Sequence, residues 1–252
     1  MTIHESLRQA LLPLAEGAVL DTLAIGLGYT CAMVRDHKGE PGVGVAYTPD
    51  PDQPGCSLLE PDEEYEGAPA AQALDLLCSG RGLHRAIGLA VANGLNHARA
   101  MALPEDRDTS ALFDSLGIGP GTRVAMVGCF TPLLKRIKER GAELDMVDRG
   151  RGLGDEQAFR DRLRTWPQAV IITSTSLINN TLEELLDLVP GGARVALLGP
   201  STPLVPEAFA GRPVHVLGGT VPMDGEATLR AVRHAKGTPV IQRFSRKPYI
   251  IV

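Results

Sequence analysis

Aromatic residues are scarce in this chain of 252 residues, where tyrosine, phenylalanine and tryptophan together reach 4% and Trp166 is the one tryptophan. A platform of stacked rings for single-stranded nucleic acid or sugars is therefore not expected. Positive charge is not in excess either: 25 Lys and Arg against 30 Asp and Glu leave a formal charge of −5. A general nucleic-acid binder carries the opposite balance, so no nucleic-acid partner is expected. The four cysteines, Cys31, Cys56, Cys78 and Cys129, form no CxxC pair and stand at no zinc-finger spacing from a histidine. A disulfide scaffold is excluded, and a reducing compartment is the expected setting. No apolar run approaches the roughly 18–20 residues that span a bilayer. Glu5, Arg8 and Glu16 interrupt the first turns where a secretory leader would be apolar. A soluble, cytoplasmic protein with no membrane partner is expected.

Against these absences stand a hydrophobic content of 44%, 28 glycines and 19 prolines. That is ample material for a core joined by many tight turns. The length suits one large domain or two modest ones.

The first part of the chain reads as α+β. Leu7, Leu11, Leu12 and Leu14 give residues 6–16 an apolar helical face, with Pro13 a kink or an early end. Residues 20–34 are β-like throughout. The turn "RDHKGEPG" then leads to a second strand, "VGVAYT", which predicts a hairpin. Seven acids fall between Asp50 and Glu66, among prolines at 49, 51, 54 and 61, and predict a solvated loop. Helices are expected over 70–78 and 84–101.

After "LPEDRD" the pattern changes, which places a domain boundary at 104/105 and divides the chain into 1–104 and 105–252. Short apolar strands, "RVAMVGCF", "AELDMVD", "QAVIITSTS", "ARVALLGPS" and "PVHVLGG", alternate with amphipathic helices. That alternation predicts an α/β fold with a mostly parallel sheet covered on both faces. Ligands of such sheets bind beyond the carboxyl ends of the strands, near a switch in strand order. The residues to weigh are therefore Gly128–Thr131, Asp148–Gly150, Thr173–Ser176, Gly199–Pro203 and Gly218–Thr220.

In the first of these loops Gly128 supplies a turn, Thr131 an N-cap and Pro132 the first helical position, and its amides suit an anion. Only one glycine of a GxGxxG fingerprint is present, although Asp148 lies where a ribose-binding acid would be. S-adenosylmethionine or a nucleotide is the alternative ligand that this pair raises. In "TSTSLINNTLEELL", Thr181 and Glu184 have capping-box spacing, so a helix is expected from Thr181 with Asn179 and Asn180 in its leading turn. The box leaves four consecutive hydroxyl residues at the strand end unexplained. With Ser201 and Thr202 of "GPSTPL" they suit a pocket for carboxylates, amides or phosphates.

Catalytic signatures are missing: no HExxH, P-loop, G-x-S-x-G or kinase motif occurs, so no catalytic residue is assigned. Asn93 and His97 share a helix face that looks into a cleft between the halves, and His97 is a candidate metal ligand. Cys129 is a candidate soft ligand or nucleophile, with burial as its ordinary role. His215 alternates with apolar neighbours as a packed strand residue. Six Lys and Arg without an acid run from Arg230 to Lys247 and could meet the acidic 50–66 loop, in the same molecule or in a homodimer.

Taken together, "AIGLAVANGLNH" at 86–97, "VAMVGCFTPL" at 124–133, "VIITSTSLINNTLEELL" at 170–186 and "LLGPSTPLVPEAF" at 197–209 resemble the DUF364 family, labelled for heavy-metal chelation. Residues from about 1 to 100 resemble its companion, DUF4213, which has an enolase N-terminal-like fold, and the remainder its Rossmann-like domain. The resemblance implies a smaller α+β domain, a Rossmann-like sheet and a site in the cleft between them. There Asn93 would face Thr173, Thr175, Asn179, Ser201 and Thr202. Family members commonly carry glycine at Ser174 and an aromatic at Cys129. The serine narrows the pocket, and the cysteine adds a soft donor.

The expected ligand is a transition or heavy metal complexed to a small oxygen-rich chelator, oriented by Ser, Thr and Asn hydrogen bonds. Two alternatives stand beside it. One is a transferase using S-adenosylmethionine or a nucleotide, and the other is a non-catalytic scaffold that oligomerises through its charged segments.

Overall fold

A computed structural model of the protein describes residues 1–50 and 57–252. Cys56 and part of the acidic loop lie outside the described residues.

Helix α1 (Ile3–Ala15) opens with a capping box, in which Thr2 Oγ1 accepts from the Glu5 amide and the Glu5 carboxylate accepts from the Thr2 amide. Pro13 lies inside this helix rather than ending it. Strands β1 (Val19–Ile25), β2 (Tyr29–Arg35) and β3 (Pro41–Tyr47) form an antiparallel meander in that order. The expected hairpin is thus a three-stranded sheet. Gly26-Leu27-Gly28 cuts the β-like run in two, with the Gly26 amide bonded back to the Tyr29 carbonyl at 2.9 Å.

Helices α2 (Ala70–Asp75), α3 (Gly82–Leu95) and α4 (His97–Met101) follow. The helix expected over 84–101 breaks at Asn96, whose ψ of 0° leaves the helical range. Ala32 and Val34 pack toward α1 and α3, whereas Cys31, Val43 and Val45 face the opposite side. That opposite side is covered by Leu229, Val232 and Ile241 of the carboxyl-terminal segment. Both faces being buried removes the polar alternation an open sheet would show.

After α5 (Ser110–Leu116), a six-stranded sheet is built from β4 (Arg123–Val127), β5 (Glu143–Val147), β6 (Ala169–Thr173), β7 (Arg194–Leu198), β8 (Val216–Gly218) and β11 (Tyr249–Ile251). Its order is β11-β8-β7-β6-β4-β5, with β11 antiparallel and the rest parallel. Helices α6 (Thr131–Glu139), α7 (Glu156–Leu163), α8 (Thr175–Ile178) and α9 (Leu182–Leu188) make the crossovers between β4 and β7. Ile171, Ile172, Val195 and Leu197 are fully buried, as expected of strands covered on both faces.

Between β8 and β11 the chain returns to the amino-terminal sheet through β9 (Val221–Pro222), α10 (Gly225–Arg233), α11 (Thr238–Ile241) and β10 (Ser245–Arg246). Leu7, Leu89, Ile172, Val195 and Leu217 belong to one continuous core, so the halves are fused. Among the described residues no helix is long and apolar enough to cross a membrane.

Two local expectations are corrected. Thr181 does precede α9, but its side chain makes no capping bond, and Glu184 pairs with Arg160 instead. At α6 the N-cap is Phe130, which places Thr131 and Pro132 one position further in than expected. Among the described residues of the charged segments, Glu63 holds Arg81 and His84, while Arg246 binds the Met101 and Leu103 carbonyls.

Candidate functional site

Strands β4 and β6 are neighbours, but the chain leaves them in opposite directions, β4 toward β5 and β6 toward β7. This switch in strand order opens a crevice at their carboxyl ends. A cavity of about 1070 Å³ lies there, lined by the loops after β4, β5, β6, β7 and β8.

Its floor is set by backbone constraints. Gly128 ends β4 with φ +86°, and a Cβ at this position would stand 2.9 Å from Thr173 Cβ. Gly199 ends β7 with φ +132°, where a Cβ would stand 2.6 Å from Ser174 Oγ. Both turns demand the left-handed region and close approach, which glycine alone supplies without strain. The two loops are thereby drawn against the hydroxyl-rich end of β6.

The hydroxyls there differ in how fully they are used. Ser176 Oγ donates to the Thr173 carbonyl at 2.7 Å, and Thr173 Oγ1 lies 3.1 Å from Thr175 Oγ1. Ser201 Oγ accepts the Tyr47 amide at 2.8 Å. Ser174 is 1% exposed, and its Oγ has no hydrogen-bond partner among the described residues. A buried hydroxyl left in that state is costly.

Asp148 braces two loops at once. Its carboxylate accepts the Cys129 amide at 2.8 Å and the Arg151 amide at 3.1 Å, with the Arg151 guanidinium 3.8 Å away. In this structure the acid singled out for ribose binding holds the β4 and β5 loops in register.

The cavity brings together Gly128, Cys129, Thr131, Asp148, Thr173, Ser174, Thr175, Asn179 and Ser201. It does not include Thr202, Asn93 or His97. Thr202 turns into a small buried cavity of about 10 Å³ shared with Asn93, Asn96 and Thr220. Asn93 Nδ2 donates to the Val45 carbonyl at 3.0 Å and reaches the Pro200 carbonyl at 3.5 Å. His97 Nε2 donates to the Pro222 carbonyl at 2.8 Å, so this ring fastens α4 to β9.

The wall facing the floor comes from elements that carry none of the singled-out residues. Tyr29 and Tyr47 reach it from the meander and meet edge to face, with ring centroids 6.3 Å apart. The Tyr29 hydroxyl pairs with Thr238 Oγ1 at 2.6 Å, and burial pushes its phenol above the ordinary range. Arg151 and Lys247 add positive charge at the rim. The one sequence signal for the tyrosines was their position at the ends of strands that bound the Gly26–Gly28 turn and the acidic loop.

As a metal site the protein's own donors do not fit. Cys129 Sγ has Thr131 Oγ1 at 3.9 Å as its side-chain neighbour, Asp148 is engaged by amides, and His97 is bonded elsewhere. Among the described residues no group of three or more His, Cys, Asp and Glu is placed to hold an ion. Soft or borderline metals are ordinarily held by such groups.

Comparison with known proteins connects this architecture to relatives. Over 170 residues the chain is 24% identical to an uncharacterized protein of Methanocaldococcus jannaschii, a match covering 66% of this chain and 65% of the relative. A DUF364 protein of unknown function from Pyrococcus horikoshii superimposes with a TM-score of 0.83 over 100% of both chains at 21% identity. Another, from Desulfitobacterium hafniense, gives 0.76 over 99% of this chain and 98% of its own at 22% identity. The DUF4213 model matches residues 8–96 and the DUF364 model residues 111–251, both described as "Putative heavy-metal chelation". With more than half of its length matched by that second model, this chain belongs to the DUF364 family.

Proposed function

We propose that the cleft binds a small, oxygen-rich organic molecule and takes a metal ion as part of that cargo, held mainly by the molecule's own donors. The observation that carries the reading is the floor of neutral hydroxyls at the strand switch, with buried Ser174 Oγ lacking a partner. Hydroxyls and amides orient carboxylate or carbonyl oxygens well but select and hold a bare transition metal poorly. A ligand that brings its own donors resolves the mismatch between the family description and the side chains present. In this reading residues 1–104 supply the tyrosine wall, residues 105–252 supply the floor, and the protein carries or delivers the complex in the cytoplasm.

Native mass spectrometry of protein purified without chelators, set against the same sample denatured, tests this. A mass excess that resolves into a metal plus an organic molecule is expected. A metal-free nucleotide or S-adenosylmethionine in the cleft, with binding indifferent to metal, would overturn it.

A further inference from the structure

Aromatic residues make up only 4% of the chain, yet they are not spread evenly over the fold. Five of the ten, Tyr29, Tyr47, Phe130, Phe159 and Tyr249, line the cleft. They arrive from five different places, β2, β3, the loop after β4, α7 and β11, so no shared local pattern accounts for their meeting. Burial alone does not account for it either. The large core cluster is filled by Leu, Ile, Val and Ala, and its buried rings among the described residues are Phe159 and Phe209.

The five rings are not equivalent. Tyr29 and Phe159 are 8% and 3% exposed and belong to the packed interior. Tyr47, Phe130 and Tyr249 are half-buried, each resting on a core cluster while bordering the cavity. Tyr47 is well anchored: its amide donates to Ser201 Oγ at 2.8 Å, and its ring meets that of Tyr29, whose hydroxyl is tied to Thr238 Oγ1. Burial, then the charges of Asp50 and Asp148, push the Tyr47 phenol above its ordinary range. This ring of β3 thus stands within electrostatic reach of the β5 loop, at the carboxyl ends of the parallel strands. A fixed ring bordering a cavity offers apolar area together with a π face that prefers offset or edge contact with another ring. Aliphatic side chains would supply the area without that preference.

We propose that the ligand carries a planar conjugated ring, recognised by stacking or edge contact with Tyr47, Phe130 and Tyr249. The inference rests on the cleft being a small-molecule site and narrows the reading above: the oxygen-rich molecule is a hydroxylated or carboxylated arene rather than an aliphatic polyacid. Isothermal titration of the metal-free chain with phthalate and with its saturated analogue, cis-hexahydrophthalate, tests it at about pH 8, where both are ionised. The two probes carry the same adjacent carboxylates, and the saturated ring offers at least as much apolar surface, so a preference for phthalate reads the π face. Wild type binds phthalate about threefold to tenfold more tightly than the saturated probe. Tyr47→Leu removes the preference, Tyr47→Phe keeps it, and Phe130→Leu reduces it with Tyr47 intact, all with wild-type circular dichroism. Should Tyr47→Leu fail to fold, Phe130→Leu decides. Equal affinity for the two probes, a preference unmoved by the leucine variants, or no heat from phthalate at about 10 mM overturns the ring inference. Equal affinity that rises for both probes on adding zinc would overturn it while keeping the chelate reading. A preference for phthalate that zinc leaves unchanged would defeat the metal part of that reading and leave ring recognition standing.

Discussion

Replacing Ser174 with alanine is expected to stabilise the unliganded chain even as it weakens binding. The side chain is 1% exposed, and its Oγ lacks a partner, so folding strips a hydroxyl of water without replacing the lost bond. Such a group carries a penalty of about 1–3 kcal/mol. Alanine removes that penalty, and the backbone at φ −66° and ψ −8° suits it without strain. Losing one oxygen leaves a small gap against Gly199, which offsets part of the gain. The net expectation is about 1 kcal/mol, a rise in Tm of about 2–4 °C for a chain of this size. Differential scanning calorimetry and urea unfolding of the ligand-free protein measure it directly. A loss of stability greater than about 1 kcal/mol would show that the hydroxyl is satisfied in the free protein, and the reasoning that reserves it for a ligand would collapse.

Gly199→Ala forces a Cβ to within 2.6 Å of Ser174 Oγ at a φ of +132°, and a drop of at least about 2 kcal/mol in urea-derived stability is expected. His97→Gln loses the bond to the Pro222 carbonyl and about 1 kcal/mol of stability, while the metal content of purified protein stays unchanged; a fall in metal content would restore His97 as a ligand. Burial is the largest influence on His4, His84 and His215 and lowers each pKa from its ordinary value of 6.5. Their folded forms therefore resist protonation more than the unfolded chain does. The stability they confer is complete above about pH 6.5 and declines as acid carries them toward their folded values. Urea midpoints at neutral and mildly acidic pH should show the decline, and His4→Gln should flatten it.

The parallel sheet was legible because β4, β6 and β7 are unbroken apolar runs, each ending in the glycine or hydroxyl residues that later line the cavity. Those runs are buried on two faces, and no competing pattern disguises them. The meander was less legible. No polar residue marks the turn between Ile25 and Tyr29, and Gly26–Gly28 carries Leu27, which is 89% exposed. Side-chain direction was the other limit. Ser201 and Thr202 are adjacent in sequence, yet one reaches the large cavity and the other the small one, a choice made by the turn they share. Thr181 and Glu184 had the spacing of a capping box, but Arg160 of α7 claimed the glutamate, a long-range contact that local pattern cannot anticipate.

Asn93, Asn96 and His97 each fasten the amino-terminal helices to the other half through a main-chain carbonyl, those of Pro200, Leu204 and Pro222. A carbonyl is supplied by every residue type, so the side chains of this 200–222 stretch can change while the three attachments persist. Apart from Ser201, whose Oγ also takes the Tyr47 amide, lining the cavity and fastening the halves thereby fall to different parts of the same loop residues. A lineage, or a designer, can replace a cavity-lining side chain such as Thr220 while these three carbonyl attachments stay in place.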